Sequence, residues 1–284
     1  MDFRLFVIGG TGYIGNRLLK KAQAGNDAFG TSTSGTGELL PLRLETPEEF
    51  NYELIQFSDV VLLAAAISAP DVCAKEPERV WSVNVTGTSK FIERVIERGA
   101  RVIFFSSDTV YGERDFSFDE NADSHPAGEY AGMKHEVEKR FTDNPLFKSI
   151  RLSYVFSKED KFTRYLIGCA ERGEEAELFK PFDRAVIHRD DIVDGVLALA
   201  RRWSEFPQAV INFGGPELLG KVDMAQALKE TVLPDLVFRI TTPGEEFFKN
   251  RPRTINMESP TLPLLLGRPA HTLRDAALIE FGNS

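Results

Sequence analysis

The sequence predicts an α/β fold in which a doubly wound parallel sheet carries helices on both faces. Apolar runs of strand length alternate with segments of helical periodicity through the first half of the chain. One run, residues 59–65 (DVVLLAA), is apolar after its first residue, as expected of a strand buried on both faces. Glycines follow the first run and open the first helical segment, which is the usual first turn of such a sheet.

Six strands and four helical segments are predicted in this half, the strands at residues 3–8, 27–31, 39–42, 59–65, 101–105 and 147–152. Helices are predicted at residues 13–24, 46–56 and 128–141, and residues 70–98 are predicted to be largely helical. For the helix 46–56, Thr46 is the predicted N-cap, Pro47 takes the first position, and Glu49 stands three residues after the cap. Gly99 is the stop signal of the helix 70–98.

Beyond about Ser153 the alternation weakens. Prolines and glycines concentrate between Pro207 and Pro269, which predicts an irregular cap rather than further βαβ units. Helices are predicted there at 161–172, 190–203, 223–230 and 272–280, with short strands near 210–213 and 237–240. The predicted division is a sheet domain over 1–160, to which about 185–215 return, and a smaller subdomain over 161–284.

The formal net charge is −9, from 34 basic and 43 acidic side chains. Binding to nucleic acid or to an anionic membrane needs clustered lysines and arginines, so neither partner is predicted.

Cys73 and Cys169 form no C-x-x-C pair, HxxxH and HExxH are absent, and no metal site is predicted. Both cysteines are expected to be buried free thiols. The run 3–8 is too short for a signal peptide or a membrane span, so a cytoplasmic protein is predicted.

Gly9, Gly12 and Gly15 are spaced G-x-x-G-x-x-G between the first strand and the first helix. Glycine permits the tight turn, lets the backbone approach a pyrophosphate, and allows the helix to pack closely on the sheet. The first helical turn then presents free N–H groups and the positive dipole end to phosphates. At this position a dinucleotide site is favoured over a tight turn that binds nothing.

The segment Tyr130-Ala-Gly-Met-Lys134 lies on the predicted helix 128–141, where positions i and i+4 share one face. Free tyrosine ionises near pH ~10, and a nearby cation lowers that pKa. The phenol of Tyr130 and the ammonium of Lys134 are therefore expected to exchange a proton with a substrate oxygen. Taken alone, the pattern is more often a solvated lysine beside a half-buried tyrosine.

Ser106 and Ser107 directly follow the predicted strand 101–105. Parallel sheets bind ligands at the carboxyl ends of their strands, so a hydroxyl group there indicates a reacting site. Capping of the following turn is the alternative for both serines. The glycine loop favours the reacting site, because the three motifs then occur in the required order, each on the required structure.

In this order the motifs resemble those of extended short-chain dehydrogenases/reductases that act on nucleotide sugars, and within that group the dTDP-4-dehydrorhamnose reductase branch. The resemblance runs almost from end to end of the chain. It is carried by GGTGYIG at 9–15, LLAAAIS at 62–68, NVTGT at 84–88, FSSDTVYG at 105–112, YAGMK at 130–134, RLSYVFS at 151–157, HRDD at 188–191, INFGGPE at 211–217 and RPRTINME at 251–258. It implies a Rossmann domain that binds the cofactor and a C-terminal subdomain that binds the substrate.

The resemblance also implies the residue roles. Ser107 hydrogen-bonds the reacting oxygen, Tyr130 is the acid/base, and Lys134 holds the nicotinamide ribose and tunes Tyr130. Besides Tyr130 and Lys134, the expected cofactor contacts are Gly9, Thr11, Gly12, Tyr13, Ile14, Gly15, Thr31, Ser32, Thr33, Ala64, Ala65, Ala66 and Val155. Asn84 is expected to brace the site from the neighbouring helix.

The segment Gly30–Ser34 follows the second strand and contains no Asp or Glu to hold an adenosine 2′-hydroxyl. NAD-specific sites usually have that acid, whereas small hydroxyl residues accept a 2′-phosphate. NADP(H) is therefore the predicted cofactor, and NAD(H) is the alternative. Arg43 lies too far along the sequence to be assigned to this site.

The predicted substrate contacts are Ser107, Asp108, Thr109, Arg184 and Arg251. Arginine suits a nucleotide diphosphate because its planar fork donates two hydrogen bonds at once. Ordinary surface ion pairs are the equal alternative for the two arginines. His188 is expected to pack structurally in a strand-to-helix turn, and the pair Asp190-Asp191 to complement a helix dipole.

The predicted reaction is the NADPH-dependent reduction of a 4-keto nucleotide sugar, with Tyr130 as proton donor. A 4,6-dehydratase normally has Asp-Glu after the serine, and an epimerase-reductase similar to GDP-fucose synthase has a nearby cysteine, but this chain has Thr109 there. A 4-epimerase with tightly held NAD is one alternative. A non-catalytic NADP-binding subunit, like the regulatory subunit of methionine adenosyltransferase, is the other. The expected partner is a nucleotide sugar, and a homodimer is compatible with the resemblance.

Overall fold

The computed structural model describes residues 3–25, 27–68, 70–248 and 251–282. Its strands are β1 (Leu5–Ile8), β2 (Ala28–Ser32), β3 (Leu40–Pro41), β4 (Val60–Leu63), β5 (Arg101–Ser107), β6 (Phe147–Leu152), β7 (Val155–Phe156), β8 (Glu175–Phe179), β9 (Asp183–His188), β10 (Val210–Phe213), β11 (Glu217–Leu219), β12 (Val237–Thr241) and β13 (Thr254–Ile255). Its helices are α1 (Tyr13–Gln23), α2 (Pro70–Lys75), α3 (Pro77–Trp81), α4 (Thr88–Glu97), α5 (Glu129–Phe141), α6 (Lys161–Arg172), α7 (Arg189–Arg201), α8 (Lys221–Thr231), α9 (Glu245–Phe248), α10 (Leu262–Leu266) and α11 (Leu273–Phe281). None of the helices in these ranges has the length and apolar character needed to cross a membrane.

A seven-stranded sheet has the order β10-β6-β5-β4-β1-β2-β3. Strand β1 pairs in parallel with β2 on one side and with β4 on the other, and β4 pairs in parallel with β5. Every residue of β1 and β4 is buried, as their apolar sequences predict for strands covered on both faces. The predicted doubly wound parallel sheet is confirmed, and each strand predicted before residue 153 is present.

The helix predicted over 46–56 is wrong: two short 3₁₀ turns, Pro47–Glu49 and Tyr52–Leu54, occupy this segment. The Thr46 side chain makes no capping hydrogen bond. The Asn51 side chain instead accepts a 3.2 Å hydrogen bond from the backbone of Glu53, which closes a local turn that competes with helix. Phe50 between the turns is extended and buried, so tertiary packing overrides the capping signal.

Residues 70–98 are largely helical, as predicted, but the helical stretch is divided: α2, α3, a π-helical segment (Ser82–Gly87) and α4 succeed one another there. Pro77 begins α3 and cannot continue the hydrogen-bond ladder of α2. A Cβ atom on Gly87 would lie 1.5 Å from the carbonyl oxygen of Leu44, so only glycine allows this approach. The predicted stop at Gly99 holds, with φ of +75° just after α4.

The chain divides into two compact units. The first contains Met1–Val110, Glu129–Arg151 and Val196–Ile211, and the second contains Tyr111–Gly128, Leu152–Gly195 and Asn212–Ser284. The returning segment is thus shorter than 185–215. The hydrophobic core of the first unit packs the sheet against the helices, with Phe6, Phe91 and Phe104 among its fully buried members. Cys73 and Cys169 are buried free thiols, as predicted.

The second unit is more regular than the predicted irregular cap. Strand β9 pairs in parallel with β7 and β13 and antiparallel with β11, and β8 pairs in parallel with β12. The four helices predicted in this half are present to within two residues at each end. The strands that the sequence did not predict have two to six residues, and β8 alternates exposed charged residues with Ala176 and Leu178. Such short segments carry too little periodicity to be recognised.

Candidate active site

The glycine loop between β1 and α1 leaves backbone donors available to an anion. Gly9 has φ of +87°, and a Cβ atom on Gly15 would lie 2.1 Å from the Gly9 carbonyl oxygen. Helix α1 begins after Gly12, has no side-chain cap, and carries no acidic residue in its first turn. Its first N–H groups and its positive dipole end can therefore receive a phosphate. Among the other predicted contacts of this loop, Thr11 and Tyr13 are exposed and Ile14 is half-buried.

Thr31 and Ser32 at the end of β2 hold the backbone in place. The Thr31 hydroxyl accepts a 3.2 Å hydrogen bond from the Gly9 N–H, and the Thr31 carbonyl accepts one of 2.8 Å from Gly10. The Ser32 hydroxyl accepts from the Gly35 N–H at 3.0 Å. Both side chains are buried, whereas Thr33 is exposed. Of the three predicted cofactor residues here, Thr33 is the one with a side chain open to a ligand.

Arg43 lies against the end of β2, where the sequence did not assign it. Strand β3 pairs with β2 in the register Ser32 to Pro41, which brings the residues after Pro41 back beside Thr33. The Arg43 Nε donates a 3.3 Å hydrogen bond to the Thr33 carbonyl, and the side chain is exposed. Arg43 and Thr33 are ten residues apart in sequence. The only signal that could have predicted their contact is the parallel pairing of the two short strands β2 and β3.

Ala64, Ala65 and Ala66 follow β4 at the same edge of the sheet and are half-buried. The Ala65 Cα would be 3.1 Å from a Cβ on Gly9, so the small side chains permit the glycine loop to approach. The Asn84 amide clamps the next residue: its Oδ1 accepts from the Ile67 N–H at 2.9 Å, and its Nδ2 donates to the Ile67 carbonyl at 2.8 Å. The π-helical segment thus braces this loop, which agrees with the frequent use of such segments at functional sites.

Ser107, Asp108 and Thr109 form a hydroxyl–carboxylate group at the end of β5. The Ser107 Oγ accepts a 2.9 Å hydrogen bond from the Thr109 hydroxyl and a longer one from the Thr109 N–H. Its own hydrogen is directed to Asp108 Oδ1 at 3.3 Å. Since that bond is long, the Ser107 hydroxyl can be donated to a closer oxygen. Asp108 is buried, and Ser107 and Thr109 are half-buried.

Tyr130 and Lys134 lie one turn apart on α5, as predicted. The Lys134 Nζ lies 5.7 Å from the centre of the Tyr130 ring and 4.4 Å from that of Phe104. It donates a 2.6 Å hydrogen bond to the carbonyl of Phe105, on the strand that ends in Ser107. Lys134 is 3% exposed, which excludes the solvated-lysine interpretation.

The prediction that Lys134 lowers the pKa of Tyr130 is wrong. Burial raises the pKa of Tyr130 above its ordinary value, and Cys73 and Asp108 raise it further. Burial also lowers the pKa of Lys134 to about 7, partly opposed by the charge of Glu138. The lysine therefore offsets little of the cost of forming a buried phenolate. At neutral pH the arrangement keeps the phenol protonated, which suits a proton donor.

A model of the NAD dependent epimerase/dehydratase family matches residues 5–214. The chain belongs to this family. The match includes the glycine loop, the serine after β5 and the tyrosine–lysine pair, and this chain is an NAD(P)-dependent enzyme of that family.

Known members of the epimerase/dehydratase family carry different activities. UDP-glucuronic acid decarboxylase 6 of Arabidopsis thaliana is 24% identical over 84% of this chain and 77% of its own. A dTDP-4-dehydrorhamnose reductase of Sinorhizobium fredii is 27% identical, and the match spans about half of each chain, 51% of this one and 50% of the reductase. The solved structure of a UDP-glucose-4-epimerase of Stenotrophomonas maltophila, with bound NAD and formylated UDP-arabinopyranose, superposes with a TM-score of 0.82 at 18% identity. It covers 99% of this chain and 97% of the epimerase. These matches support the family and the fold and leave the reaction open.

The remaining predicted residues of this family member lie in the second unit. Val155 is half-buried on β7. Arg184 is buried, and its guanidinium donates to the carbonyls of Asp183 and Pro252, both at 2.7 Å, which favours a structural role. Arg251 donates to the Phe247 carbonyl at 3.1 Å. The substrate role of both arginines stays a prediction.

Proposed function

We propose that this chain reduces a ketone of a 4-keto nucleotide sugar with NADPH, and that Tyr130 supplies the proton. The observation that carries the choice of reductase is the guanidinium of Arg43 beside Thr33, in the segment Gly30–Ser34 that contains no Asp or Glu. A 2′-phosphate fits such a cation, whereas a 2′-hydroxyl is usually held by a carboxylate. NADP(H) is the cofactor that carries this phosphate, and a reductase exchanges the oxidised form for NADPH after each turnover.

The residues that would hold the cofactor are the glycine loop for the pyrophosphate, Arg43 and Thr33 for the 2′-phosphate, and Lys134 for the nicotinamide ribose. The first turn of α1 fits an anion from outside the chain, because its N-cap residue Gly12 makes no side-chain cap and no acidic residue lies in the turn. NADPH bound there would supply a hydride to the carbonyl carbon of the substrate.

The protein's own part in the reaction is proton transfer and orientation. The Ser107 hydroxyl donates to the substrate oxygen, while the Thr109 hydroxyl donates to Ser107 and fixes its direction. Tyr130 then gives its phenolic proton to the same oxygen as that oxygen gains charge. The raised pKa of Tyr130 keeps the phenol protonated at neutral pH, and the phenolate left after proton transfer must take up a proton before the next turnover.

A 4-epimerase is the second candidate, supported by the epimerase structure with bound NAD and by the fact that epimerisation needs only Ser107, Tyr130 and Lys134. The purified chain should be incubated with NADPH and a panel of 4-keto-6-deoxy nucleotide sugars, and separately with NAD and the corresponding 4-hydroxy nucleotide sugars, with the cofactor and the product followed together. One NADPH consumed per sugar supports the reductase. Sugar conversion without net consumption supports the epimerase.

The matched control is Tyr130→Phe, which should bind NADPH and turn over about 10²–10⁴-fold more slowly. If the unaltered chain binds NADPH but converts neither keto-sugars nor their alcohols, the proposal fails and a binding subunit is the better interpretation.

A further inference from the structure

A cluster of titratable side chains in the second unit lies outside the proposed active site. It joins His188 at the end of β9, Asp191 in the first turn of α7, and His271 just before α11. One imidazole nitrogen of each histidine and one oxygen of Asp191 lie within 4.8 Å of one another. The two imidazole rings meet edge to face, with centres 5.7 Å apart. His188 and Asp191 are buried, and the His271 side chain is 26% exposed.

Each imidazole is hydrogen-bonded through one nitrogen to a carboxylate. His188 Nε2 lies 3.0 Å from Glu280 Oε1, and His271 Nδ1 lies 2.8 Å from Asp191 Oδ1. A carboxylate accepts, so each of these nitrogens carries the hydrogen. The other nitrogen of each neutral ring, His188 Nδ1 and His271 Nε2, then holds a lone pair.

His188 Nδ1 has no hydrogen-bond partner in the described part of the chain, although His188 is only 2% exposed. A buried polar atom that stays unpaired destabilises the fold, so such atoms usually have a ligand or a role. A carboxylate behind each imidazole is also the arrangement that orients histidines toward a metal ion in known sites.

The charges around the cluster do not exclude a cation. Arg268 Nη2 lies 2.6 Å from Asp191 Oδ1, and the His271 N–H donates to Asp191 Oδ2, so this carboxylate is already engaged. Arg189 pairs with Glu159 near Glu280. The carboxylates of Glu159, Asp191 and Glu280 lie near these two guanidinium groups and the ammonium of Lys158, whose backbone N–H donates to Glu280.

We propose that this cluster binds a divalent transition-metal ion through one imidazole nitrogen each of His188 and His271, with Glu280 and Asp191 hydrogen-bonded to the two rings. Imidazole nitrogen is a ligand for Zn²⁺, Cu²⁺ and Ni²⁺, and a poor one for Mg²⁺ or Ca²⁺. Solvent reaches the site at His271, so water completes the coordination. The sequence could not show this site, since 80 residues separate Asp191 from His271.

The test uses the full chain after treatment with a chelator and titrates it with Zn²⁺ and, separately, with Mg²⁺ by calorimetry. We expect one Zn²⁺ per chain, release of protons at acidic pH, and no saturable binding of Mg²⁺. His271→Gln should weaken the Zn²⁺ affinity by about tenfold or more. Because the His271 ring is partly exposed, we expect His271→Gln to fold normally. Circular dichroism of the variant checks this.

The matched control is His125→Gln, which removes an exposed histidine outside the cluster. It should bind Zn²⁺ like the unaltered chain. Binding of Co²⁺ gives a second measurement, because nitrogen ligands produce a visible absorption band that His271→Gln should shift or abolish. No saturable Zn²⁺ binding by the unaltered chain, or equal affinities of His271→Gln and the unaltered chain, would overturn the proposal.

Discussion

The Nζ of Lys134 donates a 2.6 Å hydrogen bond to the carbonyl oxygen of Phe105, two residues before Ser107. This bond ties α5 to the end of β5, so that the helix with Tyr130 and the strand with Ser107 keep a fixed spacing. The lysine thus has a structural role in addition to the cofactor contact that we propose. Its low pKa, about 7, follows from burial at this position.

Tyr130→Phe should reduce turnover about 10²–10⁴-fold, the usual contribution of a positioned acid or base. Cofactor affinity should change little, because the ring remains and only the hydroxyl is lost. Steady-state rates with a keto-sugar substrate and a fluorescence titration with NADPH measure the two effects. Near-normal turnover of Tyr130→Phe would show that another group supplies the proton.

Gly15→Ala should weaken cofactor binding about tenfold or more and destabilise the protein by about 1–3 kcal/mol. The added Cβ would lie 2.1 Å from the Gly9 carbonyl oxygen, so the glycine loop must move. Gly25→Ala is the control, because a Cβ there meets nothing within 4 Å. Urea unfolding and NADPH titration of both variants test this, and equal behaviour of the two would contradict a tight loop.

Arg43→Gln should weaken NADPH binding about tenfold while leaving NADH binding unchanged, since a hydrogen bond to a charged group contributes about 1.5–3 kcal/mol. The effect should shrink at high salt because the side chain is exposed. Titration of both cofactors at two salt concentrations measures it. Equal losses for the two cofactors would place Arg43 away from the 2′-phosphate.

Thr33→Asp should shift preference toward NADH, because a carboxylate repels the 2′-phosphate and accepts from a 2′-hydroxyl. Thr33 is the better position than Ser32, whose hydroxyl accepts from Gly35 and whose loss would disturb the turn. The ratio of the two dissociation constants is the measurement. If the ratio does not change, the end of β2 is not the adenosine site.

The sequence predicted the sheet and the main chemical residues because these depend on local signals. Glycine spacing, a strand followed by hydroxyl residues and an i, i+4 pair are all readable within seven residues. The helix 46–56 was wrong because a buried Phe50 outweighed an N-cap signal. Arg43 and the His188–His271 cluster were missed because strand pairing and tertiary folding bring together residues that sequence spacing separates.

The pKa of Tyr130 is a second property that the sequence alone did not predict correctly. Positions on one helix face indicate that a phenol and an ammonium are close, and Coulomb's law then predicts a lowered phenol pKa. Desolvation of the two groups, with Lys134 buried and Tyr130 half-buried on α5, reverses this expectation and is not encoded in the i, i+4 spacing.

Behind Lys134, one turn further along α5, Glu138 forms a buried ion pair with Arg151 on β6. The Arg151 Nη2 lies 2.6 Å from Glu138 Oε2, and the Ser149 hydroxyl donates to Oε1 at 2.8 Å. Burial alone would raise the pKa of Glu138, but His135 and Arg151 outweigh it and lower that pKa to about 2. Between its ordinary value of 4.5 and about 2, the unfolded chain binds a proton that the folded chain does not.

Glu138 should therefore stabilise the fold fully above pH 4.5 and lose this contribution as the pH falls toward about 2. Glu138→Gln should lower the free energy of unfolding at pH 7 by about 3–5 kcal/mol, because Arg151 is left buried without a counter-charge. It should also flatten the decline of stability between pH 4.5 and 2.

Glu136→Gln on the same helix is the control, since Glu136 pairs with Arg140 at the surface and its loss should cost at most about 0.5 kcal/mol. Urea unfolding at several pH values measures both variants. Parallel pH profiles for Glu138→Gln and the unaltered chain would mean that this pair does not set the acid stability of the fold.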